Sequence, residues 1–194
     1  MSTLKVDTIL KRTGTGTIAV GQSGDTVAMP SATLTTALPV ASGGTGGTSF
    51  SAAGLANTPA FMGYSSVNQT IAGDTDVHLT IGTEVWDTDN AFASSTFTVP
   101  SGKAGKYFFG GQCRISSMAD TKNIQLMIFK NGSSLDRAKV KYLASTGNSM
   151  AVTVMLMEDC AVGDNFKLYV YQDNGSQTAN SGHITFYGYR LIGV

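Results

Sequence analysis

Short apolar runs separated by turn residues fill the chain from about residue 60 onward. Their spacing predicts repeated β-strands, and such a series indicates an all-β sandwich or barrel. The dipeptide Asn131-Gly132, between two of these runs, predicts a tight hairpin. The predicted strands lie near residues 60–66, 69–72, 77–80, 83–87, 96–99, 105–116, 122–130, 135–144, 148–158, 165–172 and 182–192.

Some of these runs are apolar or aromatic on both faces: residues 151–157, 184–191 and, apart from Lys167, 166–171. A sandwich strand with one solvated face should alternate with polar residues, so these strands need a second covering surface. Another subunit can supply it, and tyrosine is favoured at such interfaces. Packing in the core remains the alternative for the same aromatic residues. The candidate oligomer-interface residues are Met155, Tyr169, Tyr171 and Phe186.

The first 60 residues differ in composition from the rest. Phe50 is their only aromatic residue, and large side chains supply most of the burial free energy of a core. This part of the chain is therefore either a linker or a segment ordered by partners. Residues 1–40 carry a short apolar patch that includes Leu4, Val6 and Ile9, and residues 41–60 form a joint rich in Gly, Ser and Thr. Residues 61–194 form a globular domain, here called the knob.

Composition excludes several functional classes. The 194 residues include 13 Lys+Arg and 13 Asp+Glu, so the chain lacks the basic excess of a nucleic-acid binder. Its 42% hydrophobic content excludes an acidic disordered chain. No apolar run is long enough to span a bilayer, and no signal peptide is recognised at the start. We therefore expect a soluble protein made in a cytoplasm, with neither nucleic acid nor membrane insertion among its partners.

The candidate chemistry is sparse. Cys113 and Cys160 form no zinc or redox motif and are expected to be buried small residues. His78 and His183 lack metal-ligand spacing, and no nucleophile elbow or phosphate-binding loop is present. We expect no enzyme, no catalytic residues and no cofactor. Three acidic pairs could each give a weak two-ligand calcium site, so calcium is left open, and Trp86 is either a sugar-stacking platform or a half-buried strand residue. The acidic pairs are Asp74/Asp76, Asp87/Asp89 and Glu158/Asp159.

Four segments resemble the complement globular-head and tumour-necrosis-factor superfamily, in the family's order. Residues 182–191 resemble its last strand, and residues 162–168 its Gly-Asp turn and the penultimate strand. Residues 124–132 resemble its mid-domain strand, and residues 105–109 its early Gly-x-Tyr-x-Phe strand. The resemblance covers about residues 60–194. It implies a jelly-roll sandwich that forms a homotrimer about its long axis, but it carries over no calcium ligands.

The N-terminal part resembles a different group. Residues 2–9 are similar to the opening of small structural proteins of marine tailed phages, and residues 39–48 to a Gly-Gly-Thr-Gly segment of phage tail-fibre proteins. This implies a virion location, with residues 1–40 as anchor and stalk and with Leu4, Val6 and Ile9 contacting other virion proteins. The expected function is a short homotrimeric tail fibre or spike whose knob binds a host-surface glycan or protein.

Three alternatives remain beside this expectation. The first is a head or tail decoration or assembly protein without receptor binding. A secreted signalling trimer of the same fold is disfavoured, because the sequence has neither a recognised signal peptide nor a collagen-like repeat. A polysaccharide depolymerase is disfavoured because no acid/base constellation supports it.

Overall fold

The computed structural model describes residues 56–144 and 149–191 and contains strands but no helix in these ranges. The thirteen strands are β1 (Ala60–Tyr64), β2 (Gln69–Ile71), β3 (Val77–His78), β4 (Thr83–Asp87), β5 (Phe92–Ala93), β6 (Thr96–Thr98), β7 (Gly105–Ile115), β8 (Asn123–Lys130), β9 (Ser133–Leu143), β10 (Met150–Cys160), β11 (Asn165–Gln172), β12 (Gln177–Ala179) and β13 (Thr185–Arg190). None of the described residues belongs to a helix that is long and apolar enough to cross a membrane.

The strands form two antiparallel sheets packed as a jelly-roll sandwich, which confirms the all-β prediction. The first sheet runs β10-β7-β13-β1-β4, and β12 joins the end of β7 and carries β2. The second sheet runs β5-β6-β11-β8-β9, with β3 also paired to β11. The anchor residues Leu4, Val6 and Ile9 lie outside the described residues, and the division of the chain at residues 40 and 60 stays a prediction.

Each strand predicted from the sequence has a counterpart within a few residues of its expected bounds. The two short strands β5 and β12 were not predicted. Like β2, β3 and β6 they have only two or three residues, too few for an alternation to identify a strand. The predicted hairpin is present between β8 and β9. Asn131 and Gly132 have φ values of 53° and 81°, the positive values that a type I′ turn requires at both central positions.

An aromatic cluster fills the space between the sheets. Phe109 on β7 lies at its centre, with its ring centroid 4.2 Å from that of Phe166 and 5.6 Å from that of Phe97. Phe61 and Phe186 complete the cluster, and all five rings are at most 1% exposed. Alternate residues of each strand supply these rings, so all five lie on the side of their strand that faces the other sheet.

A glycine allows β13 to lie close to this cluster. A Cβ at Gly188 would lie 2.6 Å from Phe109 Cδ1 and 2.9 Å from the Phe108 carbonyl oxygen. The first contact is with a close-packed ring and the second with backbone, so neither neighbour can move away easily.

Both cysteines are free and buried, as predicted. Burial raises the pKa of the Cys113 and Cys160 thiols to about 12, which keeps both in the unreactive thiol form at neutral pH.

One buried polar side chain connects two strands and a turn. The Gln172 amide is fully buried, donates to the Ile71 carbonyl at 3.1 Å and also to the Gly175 carbonyl, and accepts from the Asn174 N–H at 2.6 Å. These bonds connect β11 with β2 and with the turn that leads to β12.

Replacing Gln172 by leucine is expected to lower the free energy of unfolding by about 2–3 kcal/mol. The leucine removes the donor to the carbonyl of the fully buried Ile71, and a buried acceptor left unpaired carries a desolvation penalty. The Gly175 carbonyl and the Asn174 N–H lie at or near the surface, where water can replace the lost hydrogen bonds. Urea unfolding measures the change. Gln125→Leu on the outer side of β8 is the matched control, and a loss as large for Gln125→Leu would contradict the interpretation.

An ion-pair network joins the two sheets at one end of the sandwich. Lys130 on β8 lies 3.2 Å from Glu158 Oε1 and 2.9 Å from Asp164 Oδ2, and Arg137 on β9 donates to Glu158 Oε2. Burial alone would raise the pKa of both carboxyls, but the hydrogen bonds from Arg137 and Lys130 to Glu158, and from Asn131 and Lys130 to Asp164, hold each pKa below its ordinary value.

Acid is therefore expected to destabilise the fold through this network. The folded-state pKa values are depressed, so the stabilisation is complete above the ordinary carboxyl values and is lost as the pH falls through the folded-state values. The thermal midpoint should fall steeply below about pH 4.5, the ordinary value for Glu158. Lys130→Met should flatten that dependence between pH 3 and 7, and an unchanged slope in the variant would contradict this assignment.

Candidate functional site

The structure places the four candidate interface residues in three different environments. Met155 is 62% exposed on the outer side of the first sheet. Tyr169 and Tyr171 lie on the outer side of the second sheet, on the opposite face of the sandwich. Phe186 is fully buried in the aromatic core, so its prediction as an interface residue is corrected, because β13 turns its even-numbered side chains inward. No single surface joins the four residues.

The outer side of the first sheet is instead covered by apolar side chains from five strands. Directly paired positions share one side of a sheet. One row therefore runs Trp86–Met62–Tyr187–Gly110–Met155, and the next runs Ala60–Tyr189–Phe108–Met157. We call this surface the apolar face; its large side chains are Met62, Trp86, Phe108, Met155, Met157, Tyr187 and Tyr189.

Aromatic contacts order the centre of the apolar face. The Phe108 ring lies 5.4 Å from the Tyr189 ring and 6.3 Å from the Tyr187 ring, centroid to centroid. The Tyr187 ring crosses Gly110, where any Cβ would overlap it. Gly110 thus lets Tyr187 lie flat on the sheet, so the centre of the face is a smooth aromatic surface.

The edges of the apolar face are polar. Beyond one row, Lys106 pairs across the strands with Asp159. Beyond the row that contains Trp86, the paired residues Thr185 and Gln112 are polar. Arg114 follows on β7, and its Nη1 lies 3.5 Å from His183 Nε2. An apolar centre with a charged rim is the usual anatomy of a protein–protein interface.

A groove of about 450 Å³ lies at the β1–β4 end of the apolar face. Met62, Trp86, Tyr187 and Tyr189 line it together with the backbone around Gly188. Trp86 is 49% exposed here, at the edge of the sheet. At the opposite edge, Met155 and Met157 are 62% and 71% exposed. The face therefore has a concave aromatic end and a protruding methionine end.

Sequence reasoning missed most of the apolar face, although strand parity could have revealed it. Once Phe186 is placed in the core, Tyr187 and Tyr189 must point to the other side of β13. The same rule separates Phe108 from Phe109 on β7. Trp86 and Met62 depend in addition on the strand pairing, which no local pattern encodes.

The outer side of the second sheet carries three aromatic rings in contact. The Tyr169 and Phe129 rings stack with centroids 3.9 Å apart, and the His78 ring lies 5.1 Å from Tyr169. His78 Nε2 is 3.3 Å from the Ser95 carbonyl oxygen. Burial lowers the pKa of His78, which favours the neutral imidazole at neutral pH.

The acidic pairs that could have bound calcium make contacts within the protein. Asp87 accepts hydrogen bonds from the N–H groups of Phe92 and Asp89, and Glu158 belongs to the network described above. Asp74 lies 3.5 Å from the Tyr171 hydroxyl, which donates to it. Within residues 56–144 and 149–191, no three His, Cys, Asp or Glu side chains are grouped to hold a metal ion.

No family model matches the sequence, and no curated protein matches it. Solved structures show the likeness instead. The globular domain of the zebrafish complement 1qA protein is 16% identical with a TM-score of 0.51, over 69% of this chain and 98% of that one. The TNF protein Eiger from S. frugiperda is 9% identical with a TM-score of 0.55, over 72% and 96%. PRD1 vertex protein P5 is 15% identical with a TM-score of 0.53, over 70% and 99%. At these identities the chain shares the jelly-roll fold of all three.

Proposed function

We propose that this protein is a homotrimeric structural protein of a virus particle, a short tail fibre or spike whose knob attaches to the host surface. The apolar face of the first sheet is the observation that carries the proposal. Monomeric proteins rarely expose a continuous apolar surface of several large side chains. Here Trp86, Met155 and Met157 are each about half exposed or more in a single copy. A second copy of this chain is the partner that covers them.

The shape of the apolar face favours a head-to-tail contact between copies. The methionines at the β10 edge of one protomer fit the aromatic groove at the β1–β4 end of the next. The groove and the methionines belong to different parts of the surface, so the contact is heterologous. Such a contact closes into a ring when the rotation from one copy to the next is a whole fraction of 360°. Three copies related by 120° form the smallest ring that a heterologous contact can close, since a two-fold axis requires an isologous contact.

Two observations support a virion location. The first segment resembles phage structural proteins over residues 2–9 and 39–48. PRD1 vertex protein P5 shares the fold, and a position at a vertex is a structural role of the same kind. Residues 1–40 then serve as anchor, and attachment gains strength from several weakly binding knobs on one fibre.

Sedimentation of the full-length protein at micromolar concentration tests the assembly, and a stable monomer would overturn the trimer. Adding the same protein to host cells before infection tests attachment. We expect reduced adsorption of the virus. Unchanged adsorption, with the protein detected in the particle, would assign it to a decoration or assembly role instead.

A further inference from the structure

The outer side of the second sheet carries apolar contacts that the core does not require. Met127 on β8 points away from the interior, since its neighbours Leu126 and Ile128 point into the core. Its side chain is nevertheless only 2% exposed. Its paired position on β11 is Tyr169, which is paired in turn with His78 on β3. Met127 therefore lies beside Tyr169, whose ring contacts those of Phe129 and His78. We call His78, Phe129 and Tyr169 the aromatic platform.

Lysines border this platform on two strands. Lys167 is paired with Phe129, and Lys139 with Met127. Among the described residues, Lys167 has no carboxylate partner, and Lys139 pairs only with the fully exposed Asp136 at 3.4 Å. An exposed pair of that kind contributes little and is easily displaced. The platform therefore offers an apolar aromatic surface with cationic groups that are free to bind an anion.

We propose that the aromatic platform and Lys167 form a binding site for an anionic saccharide. The apolar C–H side of a sugar ring packs against the outer edges of the stacked Tyr169 and Phe129 rings, and its carboxylate pairs with the Lys167 ammonium group. The inference rests on the proposed function, because assembly through the apolar face leaves the outer side of the second sheet directed outward.

Charge distribution favours a saccharide over a nucleic acid. A phosphate backbone needs cations along its whole length. Lys167 on β11 and Lys139 and Lys141 on β9 supply the positive charge of this side, whereas at the far end of β11 the Tyr171 hydroxyl lies 3.5 Å from the Asp74 carboxylate. A short ligand with a single carboxylate near the lysines avoids that repulsion.

Isothermal titration of the full-length protein with trigalacturonate and 3′-sialyllactose tests the site, with maltotriose as the neutral control and a dT10 oligonucleotide as the competing class. We expect binding of at least one acidic sugar, weakened by salt, and about tenfold weaker binding by Lys167→Gln, which removes a charge-assisted hydrogen bond. Lys122→Gln is the matched control, since Lys122 precedes β8 beside Asp173. Tyr169→Ala removes the apolar contact and should also weaken binding of the acidic sugar; unchanged binding by this variant would contradict the site.

The outcomes separate this inference from the proposed function. Trp86 lies on the opposite sheet, so its fluorescence should not change when the platform is occupied. Binding that shifts Trp86 emission, that is unaffected by Lys167→Gln, or that is equal for maltotriose overturns the inference, as does binding of dT10 alone or of neither acidic sugar. A trimer that blocks adsorption but binds neither acidic sugar leaves the proposed function standing. A stable monomer that binds an acidic sugar would overturn the trimer and leave the binding site standing.

Discussion

Replacing Met155 by glutamate is expected to convert the trimer into folded monomers. Met155 is 62% exposed in the single protomer, so the new carboxylate stays solvated there and the fold is unaffected. In the assembled ring the same carboxylate would be buried against the aromatic groove of the next copy. Burial of an unpaired charge costs several kcal/mol, and the ring contains three such contacts. Light scattering coupled to gel filtration measures the mass.

Val67→Glu is the matched control for this change. Val67 is 60% exposed but lies in the β1–β2 connection, outside the apolar face. The control variant should remain trimeric at the concentration at which the Met155 variant dissociates. A Met155→Glu protein that stays trimeric would show that copies associate through another surface.

Replacing Phe109 by alanine is expected to lower the free energy of unfolding by about 3–5 kcal/mol, the range for a large aromatic side chain removed from a close-packed core. The Phe109 ring contacts those of Phe61, Phe97, Tyr107, Phe166 and Phe186. All of these neighbours lie on paired strands, so their backbones cannot move inward enough to fill the cavity that the lost ring leaves. Urea unfolding at a fixed protein concentration measures the loss.

Phe108→Ala provides the comparison one residue away. Phe108 belongs to the same strand but lies on the apolar face, where it contacts Tyr187 and Tyr189. Measured in the Met155→Glu background, which removes assembly, Phe108→Ala should cost much less than Phe109→Ala. Equal losses would contradict the assignment of the two rings to opposite sides of β7.

Much of the fold could be predicted from local patterns. The spacing of apolar runs between turn residues located the strands, and Asn131-Gly132 located the β8–β9 hairpin, because both signals depend on residues that are close in sequence. The resemblance of residues 182–191 to a family's last strand supplied the jelly-roll arrangement, which alternation alone does not specify. The two-residue β5 shows no repeat and exists only through its pairing with β6.

The candidate surfaces were predicted less well. Strands that are apolar on both sides correctly indicated an outer apolar surface, but Phe186 was assigned to it although it lies in the core. Parity within a strand separates two sides without indicating which is inner. That choice depends on the opposite sheet, where Phe166 meets Phe109.

The sequence by itself determined the all-β class of residues 60–191, since the spacing of apolar runs and turn residues is a property of the chain alone. Only the tertiary structure decided which rings face inward, that five strands align Trp86 with Met155 across one face, and that His78, Phe129 and Tyr169 meet on the other. Those contacts join residues that are distant along the chain. Strand pairing brings them together, and the pairing results from burying the inner sides of both sheets at once.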